Sequence, residues 1–380
     1  MSDEDFMNHA LGLARRAWGN THPNPMVGAV IVEDGKIVAE GWHARAGEAH
    51  AEVVALKALG RQPATGAELY VTLEPCSTHG QTGPCTEAIL AGGIQRVTVG
   101  TLDPNPAHSG RGIEVLRAAG IDVKSGVLED DCADLNLVFN HWITTGRPLI
   151  AGKTATTLDG HTATRSGQSQ WITSEVARSD VHRWRALFPA IAVGARTVQA
   201  DNPALTARLP SGTLCPRRFV FDRRLVLASA AARGAPPRIF MDEYARETTL
   251  VVDETTQHAG AQTLANLSSR FGIRIWVLPQ GDDVAGFDAF ARRCFAEGIT
   301  GVLVESGGRL ISSLLHAGAL DYLFAYRAPK ILADADAQPA FRGAITPSVG
   351  DGWHLEKVRH ATFGDDQLMR GWVRKREAPL

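Results

Sequence analysis

At 380 residues the chain is longer than one core usually holds, while 44% hydrophobic and 21% charged residues are ordinary for a globular protein. A net charge of −2 excludes a broad electrostatic pull toward nucleic acid or anionic membrane, and no run approaches the roughly 20 apolar residues of a membrane span. Five scattered cysteines and the acidic start MSDEDFMNHA point to a reducing cytoplasm.

In chain order, Phe6, Ala10, Leu13, Ala14 and Ala17 recur at helical spacing over residues 3–18. MVGAVIVEDGKIVAEGWH reads as two strands about a turn at Asp34-Gly35. A helix over 50–60 follows, then the strand ELYVTLEP, a helix beginning near Pro84 and the strand QRVTVGTLDP. IEVLRAAGIDVKSG and the helical DCADLNLVFNHWITTG complete an alternation that predicts a sheet with helices on its faces. Gly146 and Pro148 in TTGRPLI mark a break, so the expected domains are 1–146 and 147–380. Beyond it PLIAGKTATT, AIAVGA, RRFVFD, TLVVDE, RIWVLP, GVLVES and DYLFAYRAPKIL read as strands, with helices at about 174–187, 282–298 and 308–318. ASAAARGAPP, residues 228–237, reads as a surface loop.

The first half concentrates metal-binding residue types. His50 and Glu52 stand where an apolar helix begins, and Cys76 and Cys85 follow the next strand in TLEPCSTHGQTGPC. One His and two Cys are three zinc ligands, leaving the fourth tetrahedral position for the water of a catalytic site. Zinc brings the pKa of such a water to about 7. Residues i and i+2 of a helix do not share a face, so Glu52 is placed off the metal, where a proton shuttle is needed. The pattern matches the zinc-deaminase signature H-x-E…P-C-x-x-C, except that eight residues separate these cysteines. A structural zinc with His79 as fourth ligand is the alternative. Cys132, Cys215 and Cys294 read as buried small hydrophobes and His43 as an ordinary packed histidine.

THPNPMVGAVIV, HAE, TLEPCSTHGQTGPC and DPNPAHSGRGIEVL together resemble the deaminase half of the RibD family, bifunctional proteins of riboflavin biosynthesis. In that family the long loop between the cysteines is normal. The resemblance implies a cytidine-deaminase-like α/β/α sandwich in which His50, Cys76 and Cys85 hold Zn2+ and Glu52 is catalytic.

The second half lacks G-x-G-x-x-G, but GVLVESGGRLISSLL places Gly307 and Gly308 between a strand and an amphipathic helix, where backbone amides can meet a phosphate. Read alone, this is also what a simple turn looks like; Trp171 could be core and Arg185 a solvated charge. KTATTLDGHTATRSGQSQWIT, RWRALFPAIAVGARTVQADNPALTARL and YRAPKIL resemble the family's reductase half, an α/β domain similar to dihydrofolate reductase. By that resemblance NADPH contacts fall on Ala155, Trp171, Thr197, Asp201, Gly307, Gly308 and Arg309. Substrate contacts fall on Ser169, Arg185, Leu205, Arg208 and Glu305, with Arg185 and Arg208 suited to a phosphate and Lys153 a further site residue. The family often has Asp-Ser after the middle strand; here it is Asp222-Arg223, an arginine able to meet the 2′-phosphate of NADPH.

The resemblance implies deamination of a small phosphorylated pyrimidine and NADPH-dependent reduction of its sugar, by a homodimer acting on neither nucleic acid nor membrane. A base deaminase of nucleic acid is the rival enzyme, disfavoured by charge; a zinc-stapled nucleotide sensor is the non-enzymatic one.

Overall fold

A computed structural model describes residues 1–79, 83–343 and 346–375. It divides into two compact units, Met1–Gly146 and Arg147–Leu380.

The first unit runs α1 (Asp3–Ala14), β1 (Gly28–Glu33), β2 (Lys36–Trp42), α2 (Ala51–Leu59), β3 (Glu68–Leu73), α3 (Cys85–Gly92), β4 (Arg96–Thr101), α4 (Arg111–Ala118), β5 (Asp122–Ser125), α5 (Glu129–Leu135) and α6 (Leu137–Thr145). Ser2 and Asp5 form a capping box that starts α1. Asp34 and Gly35 both take positive φ, 46° and 72°, the backbone a tight hairpin requires. The sheet order is β2-β1-β3-β4-β5, antiparallel through β3 and parallel beyond it. Ile31, Leu69, Val71, Val97 and Val99 pack with Ala51 and Ala55 of α2 and Ile89 of α3, so the core seats both site-bearing helices. The expected single helix over DCADLNLVFNHWITTG breaks at Asn136, whose side chain instead bonds the backbone N–H and carbonyl of Met26.

The second unit runs β6 (Leu149–Thr156), β7 (His161–Ala163), α7 (Glu175–Leu187), β8 (Ala190–Gly194), α8 (Ala195–Asp201), β9 (Ala207–Leu209), β10 (Gly212–Leu214), β11 (Arg217–Phe221), α9 (Val226–Ala232), β12 (Thr248–Asp253), α10 (Glu254–Phe271), β13 (Arg274–Leu278), α11 (Asp283–Ala296), β14 (Gly301–Val304), α12 (Gly308–His316), β15 (Tyr322–Arg327), β16 (Gln338–Pro339), β17 (Trp353–Phe363) and β18 (Asp366–Lys375). Its nine-stranded sheet has the order β13-β12-β11-β8-β14-β6-β15-β18-β17. Strands β13 to β15 pair in parallel, and β18 and β17 add an antiparallel edge. Alternate strand residues feed two cores: Phe219, Val251 and Val302 meet α11 and α12, while Ile191, Val220 and Leu250 meet α9 and α10.

Residues 228–237 are not the expected loop. Their first half belongs to α9, with Leu227, Ala228 and Ala231 buried. Asp222 accepts hydrogen bonds from the amides of Val226, Leu227 and Ala228, and an alanine run needs little more to become helical. Helix α10 and the β17–β18 hairpin have no counterpart in the sequence reading. No helix among the described residues is long and apolar enough to cross a membrane.

Candidate active sites

His50 is the N-cap of α2 and Cys85 opens α3, while Cys76 lies just beyond β3; the fold carries three separated residues to one point. Their donor atoms all lie within 4.8 Å of one another, with His50 Nδ1 at 3.1 Å from Cys85 Sγ and 3.6 Å from Cys76 Sγ. One nitrogen and two sulfurs at this separation are the soft donor set that zinc takes. Contact with Cys85, then with His50, holds the Cys76 thiol well below the usual thiol range, as a ligand that must ionise requires.

Glu52 is 3% exposed in the first turn of α2 and stands outside the ligand trio while interacting with the Cys85 thiol. Burial pushes its carboxyl up, so it is able to carry a proton. His79, the alternative fourth ligand, is largely exposed and 3.4 Å from Glu87, away from the trio. His43 is buried beside it, edge-on to His50 with ring centroids 5.3 Å apart.

Glu74 is a further residue of this site, not singled out by any motif. This buried carboxylate accepts from the amides of Asp103, Gly110, Gly112 and Ile113, clamping the segment 103–113 beside Pro75 and Cys76. Its signal was present in TLEP: a carboxylate that ends a buried strand needs partners.

In the second unit one cavity of about 900 Å3 opens at the carboxyl ends of β6, β8, β11 and β14, where open parallel sheets bind ligands. All twelve residues expected there line it: Ala155, Ser169, Trp171, Arg185, Thr197, Asp201, Leu205, Arg208, Glu305, Gly307, Gly308 and Arg309, together with Lys153 and Arg223. Trp171 is not core: it is 61% exposed, lies 4.3 Å over Arg178, and its carbonyl accepts from Lys330 Nζ. Ser169 bonds Asp201 at 3.1 Å, and Thr197 accepts from the Gly307 amide at 3.3 Å. Helix α12 has no side-chain cap at Gly307, which leaves its first amides facing the cavity for an anion such as a dinucleotide phosphate. The two glycines differ: a Cβ at 308 would meet Pro339 O at 2.6 Å, whereas 307 faces open space. Gly308 is required by packing, whereas the open side of Gly307 leaves room for a ligand.

Arg185 is not a solvated charge either. It forms a bidentate pair with Glu305 at 2.5 and 2.8 Å and donates to Thr206 O at 3.0 Å. Burial works to raise the Glu305 carboxyl, but Arg185 and then Lys153 outweigh it and hold it at about 2. Lys153 is pulled below the usual lysine range, chiefly by burial. Arg223 pairs with Asp283 at 2.6 Å on the cavity wall.

A hydrolytic deaminase fused to a nucleotide-dependent reductase is the class these two units define. The description "Cytidine and deoxycytidylate deaminase zinc-binding region" matches residues 1–101 and "RibD C-terminal domain" matches 148–369. The chain is 40% identical to riboflavin biosynthesis protein RibD of Bacillus amyloliquefaciens, over 96% of this chain and 94% of that one. With RibD of Escherichia coli K12 it shares 39% identity over 95% and 97%. The solved structure of Acinetobacter baumannii RibD superposes with TM-score 0.77 at 32% identity, covering 98% and 99%. A Thermotoga maritima diaminohydroxyphosphoribosylaminopyrimidine deaminase/5-amino-6-(5-phosphoribosylamino)uracil reductase gives 0.76 at 34%, covering 98% of each chain.

The chain therefore belongs to the RibD family of riboflavin biosynthesis proteins. It is a bifunctional enzyme, a zinc-dependent deaminase and an NADPH-dependent reductase.

Proposed function

We propose that residues 1–146 deaminate 2,5-diamino-6-ribosylamino-4(3H)-pyrimidinone 5′-phosphate and that residues 147–380 reduce the ribosyl group of the product to ribityl. The result is 5-amino-6-(5-phospho-D-ribitylamino)uracil. The observation that carries the first half is the His50–Cys76–Cys85 trio with Glu52 buried outside it.

His50, Cys76 and Cys85 hold zinc, which when bound supplies the Lewis acidity that makes water a nucleophile at neutral pH. Glu52 accepts the proton of the attacking water and returns it to the departing amine nitrogen, which leaves as ammonia. Burial favours the protonated carboxyl and eases that return.

In the second unit Ala155, Trp171, Thr197, Asp201 and the turn Gly307–Arg309 hold NADPH, which when bound supplies a hydride. Ser169, Arg185, Leu205, Arg208 and Glu305 would bind the substrate and orient its ribose for reduction at C1′. Lys153, half-buried in the cavity and with burial lowering its pKa, supplies the proton to the ring oxygen as the sugar opens. Five free thiols support a cytoplasmic setting. A homodimer is the proposed assembly, which analytical ultracentrifugation tests.

Incubation with the diamino substrate, followed by mass spectrometry, tests the whole reading. A shift of about +1 Da without NADPH and a further +2 Da or so with it are expected for amine-to-carbonyl exchange and then hydride plus proton. An unchanged mass in both arms would overturn it.

A further inference from the structure

Arg218 of β11 is 0% exposed and does not line the reductase cavity, and the chemistry described so far makes no use of it. Its guanidinium pairs with Asp242 in a bidentate contact at 2.7 and 2.8 Å and donates to the carbonyls of Ile239 and Tyr244, which fixes the segment 239–244 against the strand. One further bond leaves that segment. Arg218 Nη1 reaches the Ala204 carbonyl at 3.1 Å, and Ala204 does line the cavity.

Leu205, the next residue, is one of the substrate contacts proposed above, and its backbone is strained. It takes φ 54°, in the left-handed region that a leucine enters only at a cost, and it is buried at 2% exposure. Such a conformation persists only where its surroundings over-determine it. Here the carbonyls on both sides of Leu205 are held by arginines, Ala204 O by Arg218 and Thr206 O by Arg185 at 3.0 Å. Asn202, also left-handed at φ 40°, is fastened to the same region beyond β11, its Oδ1 accepting from the Arg238 amide at 2.8 Å. The turn 202–206 is therefore tied on one side to the Arg185–Glu305 pair in the cavity and on the other to Arg218 outside it.

We propose that Arg218 is a positioning residue of the reductase: from outside the cavity it holds the Ala204 carbonyl, keeps Leu205 left-handed and so sets the affinity for the deaminated substrate without touching it. The inference rests on the reductase reading above. Without that bond Leu205 relaxes toward negative φ, and the peptide group joining Ala204 to Leu205 rotates out of the place it holds in the cavity wall.

Arg218→Lys is the first test, since an ammonium can still pair with Asp242 but cannot serve that carboxylate and three carbonyls at once. KM for the deaminated intermediate should rise about tenfold, the worth of one hydrogen bond from a charged group, with kcat and KM for NADPH within about twofold of wild type. Retained NADPH binding shows that the unit has folded. A role confined to stability would lower the unfolding midpoint and leave both KM values alone, and that result overturns the proposal. Asp242→Asn keeps the arginine but loosens its grip, and it serves if the lysine variant does not fold: the same one-sided rise in KM is expected, and an unaltered KM overturns the proposal. Leu205→Gly supplies a rescue. Glycine takes positive φ freely, so in that background the Arg218→Lys penalty on KM should shrink to about threefold or less. An equal penalty in both backgrounds overturns the proposal. Absence of NADPH-dependent reduction in the wild-type enzyme would remove the reductase reading itself, whereas an active wild type with unmoved variants removes only the role of Arg218.

Discussion

Glu52 and Glu305 show one residue type set to opposite purposes by surroundings. Glu52 has burial pushing its carboxyl up and no cationic arginine to oppose it; Glu305 has Arg185 and Lys153 holding it down despite burial. Glu52→Gln should lower ammonia release by about 100-fold to 10,000-fold, the usual worth of a positioned acid–base group, while the variant still oxidises NADPH when given deaminated intermediate. Loss of both activities in a folded, zinc-loaded variant would count against independent sites. For the other carboxylate, Arg185→Met strands a buried charge and should cost about 3–5 kcal/mol in denaturant unfolding, largely recovered in the double variant with Glu305→Gln. The pH sign follows from a depressed carboxylate. The pair's contribution is full above the unfolded pKa of about 4.3 and is lost as pH falls toward 2, so wild-type and Glu305→Gln stabilities should converge over that window.

Secondary-structure elements matter here as carriers. Helix α2 brings His50 and Glu52 to the metal site only because β2 lets it lie close: a side chain at Gly41 would collide with the backbone of Ala51 and Ala55. Gly41→Val should therefore displace α2 and lower the zinc content well below one per chain, read by elemental analysis, with reductase turnover retained. Gly112 plays the same part for the loop clamped by Glu74, since a Cβ there would strike Pro75 O under the Cys76 segment. Elements with one strong period were legible: the hairpin at Asp34-Gly35, the buried strands and helix α7. Helix α9 was not, because its stabilisation comes from Asp222 outside the alanine run. The β17–β18 hairpin escaped because its exposed edge strand carries charge and aromatics on both faces, with no clean apolar period to read.

Taken together, each unit encloses its own chemistry: the trio lies within Met1–Gly146, and every residue lining the large cavity lies within Arg147–Leu380. Treatment with a strong zinc chelator should abolish ammonia release and leave NADPH-dependent reduction of deaminated intermediate intact, with activity returning on addition of Zn2+. Equal loss of both rates would mean the reductase also depends on the metal.

The kinds of chemistry were readable from residue types and spacing, because ligand softness, carboxylate acidity and glycine freedom are local properties that His50, Cys76, Cys85, Glu52 and Gly307 carry wherever they fall. Pairings across the fold were not. That Arg185 belongs to Glu305, that Arg218 holds Ala204, and that Glu74 gathers four amides all depend on which strand ends meet. Distance in space, and the desolvation that comes with it, sets the charge state of such groups, and neither is written in the order of residues along the chain.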